Sequence, residues 1–262
     1  MKNLIVTSTF FLTFLLLLNS CETVEGCLNP NSTNYSPGAD NDCCCESPEL
    51  NVRIFPMSDT SSFDFDLPRL DAGGNEYFIQ DFKFFISKIS LGENSGNLLS
   101  ISDTTTFELK DNTKIDTADC YILLDESVYE YTAGTFNYLT SFETLELELG
   151  LNELAQQIVR DSLEDGHPLK SDEMYKVSVD SLFSLRTIIS ITGQQFPVEF
   201  SAYELQKAII PYTVTPEIAF DTWLELNIDF GILFQNINFL LDNNNTVANK
   251  IVTNLPQAIK QR

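Results

Sequence analysis

The stretch from Phe220 to Phe230 alternates so strictly that an extended strand with one buried face is the conformation that satisfies it. Phe220, Leu224, Leu226, Ile228 and Phe230 share one parity, with Thr222 filling the gap; Asp221, Trp223, Glu225, Asn227 and Asp229 take the other. Successive side chains of a strand point to opposite faces. A slip of one residue would therefore bury the polar set and expose the apolar one, so the register is strongly specified.

The same period recurs along the chain. Leu50, Val52 and Ile54 alternate with Asn51 and Arg53, Phe63, Phe65 and Leu67 with Asp64 and Asp66, and Leu145, Leu147 and Leu149 with Glu146 and Glu148. Val177 and Val179 alternate with Lys176, Ser178 and Asp180. Tyr77 to Leu91 reads as one strand with a bulge or as two short ones, while Tyr121–Leu124, Leu185–Ile191 and Val198–Phe200 read as further strands. The Asp- and Thr-rich residues 100–119 read as a loop. Helical spacing is clear at Leu151, Leu154, Ala155, Ile158 and Val159. The pattern predicts an all-β fold, an antiparallel β-sandwich with one amphipathic helix. The 20 Phe and 9 Tyr suit strands.

The ends read differently. Lys2 precedes an apolar run from Leu4 to Leu18, and Leu18-Asn19-Ser20-Cys21 closes it. A basic start, a short apolar core, a small residue and a cysteine form the layout of a bacterial lipoprotein signal. The run falls short of the roughly 20 residues that a spanning helix needs. Residues 1–20 are thus expected to be removed and Cys21 to carry acyl chains. Residues 21–49 form a Cys-rich spacer of turn formers such as Asn29-Pro30-Asn31 and Ser36-Pro37-Gly38. The β domain is expected over 50–241, and 242–262 is read as a tail or short helix containing Pro256.

Six cysteines are present, four of them between residues 27 and 45. Outside the cytoplasm this reads as a small disulfide-stapled segment. Cys27 is expected to bridge to one of Cys43, Cys44 and Cys45, with Cys45 preferred. The formal charge of −23 argues against nucleic acid as a partner, because phosphate is repelled.

Chemistry has few candidates. His167 is the single histidine and sits in Asp165-Gly166-His167-Pro168. An acyl-transfer triad needs a base histidine beside a nucleophile, and no G-x-S-x-G elbow occurs. Histidine-based copper sites use two or more imidazoles. Carboxylate pairs such as Asp64/Asp66 and Glu146/Glu148 are the raw material of a hydrolase, and Asp-rich loops that of a calcium site. Trp223, on an otherwise polar strand face, is a candidate contact platform for a glycan or a protein.

Two resemblances add to this. Gly26-Cys27-Leu28-Asn29-Pro30 with Asn34-Tyr35-Ser36-Pro37-Gly38-Ala39 resembles a short cysteine motif at the start of surface proteins from Bacteroidetes-type bacteria. That motif usually closes with Gly-Ser-Cys, where this chain has Asp42-Cys43-Cys44-Cys45. Over residues 50–240, four blocks resemble the MbnP-like family: Tyr77-Phe78-Ile79 with Phe82 to Leu91, Tyr121 to Asp125, Leu147 to Gly150, and His167-Pro168-Leu169 followed by Glu173-Met174-Tyr175. The resemblance implies a periplasmic or surface β protein, associated in some members with copper and a haem-containing partner. In those members the Met-aromatic motif runs on into tryptophans; here Lys176-Val177-Ser178-Val179 follows. His167 is the one copper-site position that matches, so the copper-site residues are largely absent.

The expectation is therefore a lipid-anchored extracytoplasmic binding or accessory protein, at the outer membrane or cell surface or facing the periplasm, and no enzyme. Its partners would be the membrane through the anchor and an envelope protein or glycan. No cofactor is expected, with copper or calcium as the ions to consider. The alternatives are a glycan- or protein-binding module using Trp223, a copper protein with a divergent site at His167, and a carboxylate-based hydrolase.

Overall fold

Turn formers dominate the start of the chain, and a cross-link there supplies what a hydrophobic core cannot. The computed structural model describes residues 23–262, so the expected signal and the lipidation at Cys21 lie outside the described residues. By contact the chain divides into two units, one reaching to Pro48 and taking in Ile218–Phe220, the other comprising Glu49–Glu217 and Asp221–Arg262.

In the first unit Cys27 and Cys45 are joined as expected, with Cα atoms 4.8 Å apart. The bridge closes a separation of 18 residues, a loop for which a chain-entropy estimate gives about 3 kcal/mol. Two-residue strands Glu25–Gly26 and Asn41–Asp42 pair in parallel. Asn34 clamps the end of the loop: its Nδ2 donates to the Cys44 carbonyl at 2.6 Å and its Oδ1 accepts from the Glu46 N–H at 3.0 Å. Cys43 and Cys44 are free.

The second unit is mostly antiparallel β-sheet. Its larger sheet is ordered Val198–Ala202, Leu185–Ile191, Glu76–Glu93, Phe142–Leu149 and Gln206–Val214. The central strand Glu76–Glu93 is one strand with bulges, where the register shifts opposite Ile188/Ile189 and Glu148/Leu149. Three shorter strands, Arg69–Leu70, Leu98–Leu99 and Ile122–Asp125, also pair with it. Gly150 ends the Phe142–Leu149 strand at φ +112°, and a Cβ there would stand 2.7 Å from the Glu204 carbonyl oxygen. Only glycine fits such a backbone and such a contact.

The smaller sheet is ordered Glu130–Thr135, Glu49–Ser58, Thr222–Asp229 and Ile259–Gln261, with Ser61–Ser62 beside Glu49–Ser58. The strand predicted from alternation lies here. Thr222, Leu224, Leu226 and Ile228 are buried. Its pairing with Glu49–Ser58 is parallel, so the antiparallel expectation holds for most of the fold and fails at this pair. One apolar cluster takes residues from both sheets, among them Val52, Ile79, Leu145, Ile189, Leu224 and Leu226. Burying a Leu or Ile side chain fully contributes about 1.5–3 kcal/mol. A second cluster gathers Phe85, Phe107, Tyr121, Leu163, Leu169, Met174 and Phe183.

Several expectations need correction. Three α-helices are present among the described residues rather than one: Glu153–Gln157, Phe230–Leu233 and Asn244–Ala258. The first is shorter than its apolar spacing suggested, because the backbone turns extended at Ile158. The last replaces the expected loose terminus. Asn243 Oδ1 accepts from the Thr246 N–H at 3.0 Å, an N-cap, and Val247, Ala248, Ile251, Val252, Leu255 and Ala258 are buried along one face. Residues read as loop form a hairpin of Thr104–Glu108 and Lys114–Ala118. Val177–Val179 is a 3-10 turn with both valines exposed, closed by Asp180 in the left-handed region at φ 48°. Residues 63–68 are irregular: Asp64 Oδ1 accepts from the Asp66 N–H at 2.9 Å, a local side-chain turn that replaces the strand. Phe220 is exposed and precedes the strand. No helix among the described residues is long and apolar enough to cross a membrane.

Candidate functional site

The outer parity of the Thr222–Asp229 strand builds an open face on the smaller sheet. Trp223 stands opposite Asn51, Glu225 opposite Arg53 and Asn227 opposite Phe55. On the far side of Glu49–Ser58, Glu130 faces Arg53. Beyond the last strand, the Arg262 N–H donates to the Glu225 carbonyl at 3.1 Å. Acid and base thus alternate in one row, as Glu130, Arg53 and Glu225 on three strands and Arg262 just past the fourth.

Two aromatic rings flank this row, each under a guanidinium. Arg53 lies 4.5 Å from the centre of the Trp223 ring and Arg262 lies 3.6 Å from the centre of the Phe55 ring. Both distances fall within cation–π range. Arg53 is fully engaged, with Glu130 at 2.8 Å and Glu225 at 3.2 Å. Trp223 keeps 39% of its surface exposed, as an amphipathic contact residue would. Beside the row lies a depression of about 650 Å³, lined by Phe55, Met57, Thr60, Ser62, Tyr129 and Asn227. Sequence reading found Trp223 but missed Arg53, Phe55 and Arg262. Arg53 carried the parity signal and Phe55, apolar on the outer parity, broke it; the parallel pairing that brings them beside Trp223 left no sequence signal.

His167, the expected metal residue, serves the local fold. Its Nδ1 accepts from the Leu169 N–H at 3.1 Å, capping the Pro168–Lys170 turn. A nitrogen that accepts carries no proton, so Nε2 bears it and donates to Asp119 Oδ2 at 3.1 Å. Both ring nitrogens are occupied. Met174 is fully buried in the second cluster, and the Tyr175 hydroxyl is bonded to Asp180 at 2.6 Å. The residues that carried the family likeness therefore do not converge as copper donors around His167.

Two groups among the described residues do bring three possible donor atoms within 4.8 Å of one another. Cys27, Asp42 and Cys45 combine two sulfurs, the soft donors that suit copper, with one carboxylate, but the two sulfurs are joined in the disulfide. Asp81, Asp125 and Glu126 form a hard oxygen set that suits calcium. Lys83 occupies this second group, 3.0 Å from Asp81 and 3.2 Å from Asp125, and also pairs with Glu173; Arg186 pairs with Asp81. Burial opposes the charge on Lys83, but its three carboxylate partners outweigh it and raise its pKa. Burial also opposes the charge on Asp125, yet the bonds from Ser127 and Lys83 hold its carboxyl below the usual range. Glu126 is pushed up by burial, only partly offset by the Phe82 N–H at 3.0 Å.

Asp64 and Asp66 belong to the turn described above. Glu146 and Glu148 share a face of the larger sheet, with Glu148 3.5 Å from Lys207. Cys120 is buried, donates to the Ser87 carbonyl at 3.1 Å and is pushed up by burial to about 11.

No protein-family model and no curated protein matches the chain. Among solved structures, MbnP from Methylosinus trichosporium aligns at 10% identity with a TM-score of 0.42, covering 72% of this chain and 78% of that one. At that identity and score the alignment transfers neither residues nor activity.

Proposed function

We propose that this chain is a lipid-anchored, extracytoplasmic binding or accessory protein, MbnP-like in kind, without an intact copper site at His167 and without enzymatic activity. Its contact surface is the outer face of the smaller sheet, and its partner is a glycan or protein of the cell envelope. The observation that carries this reading is the pair of aromatic rings, Trp223 and Phe55, each stacked under a guanidinium beside an open depression. Aromatic residues and arginine dominate the energetics of binding surfaces, and stacking fixes their orientation before a ligand arrives.

The anchor is supported by the signal pattern ending at Cys21. Two or three acyl chains would hold the protein firmly, since each buried CH₂ contributes about 0.8 kcal/mol. The disulfide-stapled segment then serves as a spacer. Labelled palmitate should enter the full chain and not a Cys21→Ser variant. For the contact surface, envelope polysaccharides and envelope proteins immobilised on a surface should retain the protein. Trp223→Ala should abolish that retention while the domain stays folded, with at most a small shift in thermal unfolding; retention that survives the substitution would remove the sheet face from the account.

A further inference from the structure

Arg53 and Arg262 have the same posture and different company. Each guanidinium carbon lies over an aromatic ring, 4.5 Å from the centre of Trp223 and 3.6 Å from the centre of Phe55. The edge of Arg53 is consumed by Glu130 and Glu225. Among the described residues, no carboxylate oxygen stands within 4.0 Å of the Arg262 guanidinium, although ion pairs engage Arg53, Lys83, Lys110, Arg160, Lys170, Arg186, Lys207 and Lys250. Arg69, 4.4 Å from the centre of the Phe63 ring, likewise has no carboxylate partner, but it is half-buried, whereas Arg262 is exposed and lines the depression.

We infer that the depression beside Phe55 takes a uronic acid, a carboxylated sugar within a glycan, with Arg262 as the anchor for its carboxylate. This rests on the reading of the sheet face as a binding surface. A guanidinium presents parallel N–H donors that match a carboxylate in a fork. At Arg262 no Asp or Glu side chain among the described residues engages those donors. The depression, about 650 Å³, lies in the size range of small-ligand sites. Thr60, Ser62 and Asn227 line it with hydroxyl and amide groups, as a polyhydroxylated ring requires.

The test is calorimetric titration of the full chain with trigalacturonate, its methyl ester and a Glu-rich peptide. Trigalacturonate should bind, and the ester should bind roughly tenfold more weakly. Arg262→Gln should weaken trigalacturonate by the same factor and leave the ester unchanged; Arg262→Lys should recover part of the loss, because an ammonium keeps the charge and lacks the fork. Equal binding of acid and ester by the unaltered protein would overturn the proposal without any variant having to fold. So would binding of the Glu-rich peptide in place of the sugar, or no binding of trigalacturonate at all. A neutral saccharide that binds through Trp223 and is indifferent to Arg262 would overturn the uronate assignment and leave the binding face standing.

Discussion

The guanidinium of Arg53 lies 4.5 Å from the centre of the Trp223 ring and is held there by Glu130 and Glu225 from the strands on either side. The indole is therefore positioned by a cross-strand ion network rather than by burial in the core. Trp223→Ala should leave the fold intact, lowering stability by no more than about 1 kcal/mol, the scale of an exposed cation–π contact. Arg53→Ala should cost a similar amount, and the double variant less than the sum of the two. Chemical denaturation of the four proteins measures this coupling; a loss above 3 kcal/mol for Trp223→Ala would make the indole a core residue.

Asp71 should be the most sensitive acidic residue for stability. One carboxylate accepts from the backbone N–H groups of Gly73, Asn75 and Phe239, each at 2.8 Å, and from the Asn75 side chain. Burial opposes its charge, but these donors outweigh it and lower its pKa. A depressed acid contributes stability above its unfolded pKa and loses it as pH falls through the folded value. Asp71→Ala should destabilise by about 2–4 kcal/mol, because it strands several buried donors. Part of the acid sensitivity of the unaltered protein should vanish with it, as urea titrations across acidic pH would show.

Glu126 should behave in the opposite way. Its pKa is raised by burial, so the folded state holds the proton to higher pH than the unfolded state does. Between the two pKa values the unfolded state binds fewer protons, and stability falls as pH rises through that window. Glu126→Gln keeps an acceptor for the Phe82 N–H and removes the buried charge. It should raise the melting temperature at neutral pH and flatten the pH dependence just above the ordinary glutamate value; a drop at neutral pH would contradict the assignment.

The cysteines should separate by reactivity. Thiolate is the reactive form, and Cys120 combines burial with a pKa of about 11. Cys44 is exposed. Mass spectrometry after brief alkylation of the native protein should find Cys44 modified and Cys120 untouched, with Cys120 labelled only after unfolding.

His167→Ala should cost about 1 kcal/mol, the scale of a lost helix cap, because Leu169 loses its acceptor and Asp119 its donor. Copper content after loading and dialysis should not change. Stoichiometric copper that disappears with this substitution would revive His167 as a ligand.

Legibility followed the range of the interaction. Parity exposed the strands and the outer position of Trp223, since alternation is a local consequence of the pleat. Compartment logic and turn chemistry favoured the Cys27–Cys45 bridge. The helix Asn244–Ala258 was obscured because Asn243 to Asn245 look like a loop when they are a cap and a first turn, and because Pro256 falls in the last turn. The 3-10 turn at Val177–Val179 mimics strand alternation over too few residues to tell the two apart. Arg262 was invisible as a site residue. Nothing local to residue 262 announces Phe55, which reaches it only through the pairing of three strands.

Trp223 is the only tryptophan in the chain, so intrinsic fluorescence excited in the indole band reads the proposed contact face directly. Titration of the full chain with an envelope glycan that it demonstrably retains should quench or shift the emission in a saturable way, at the same concentrations at which retention saturates. Emission that stays constant while that glycan binds would place the contact elsewhere and contradict the account.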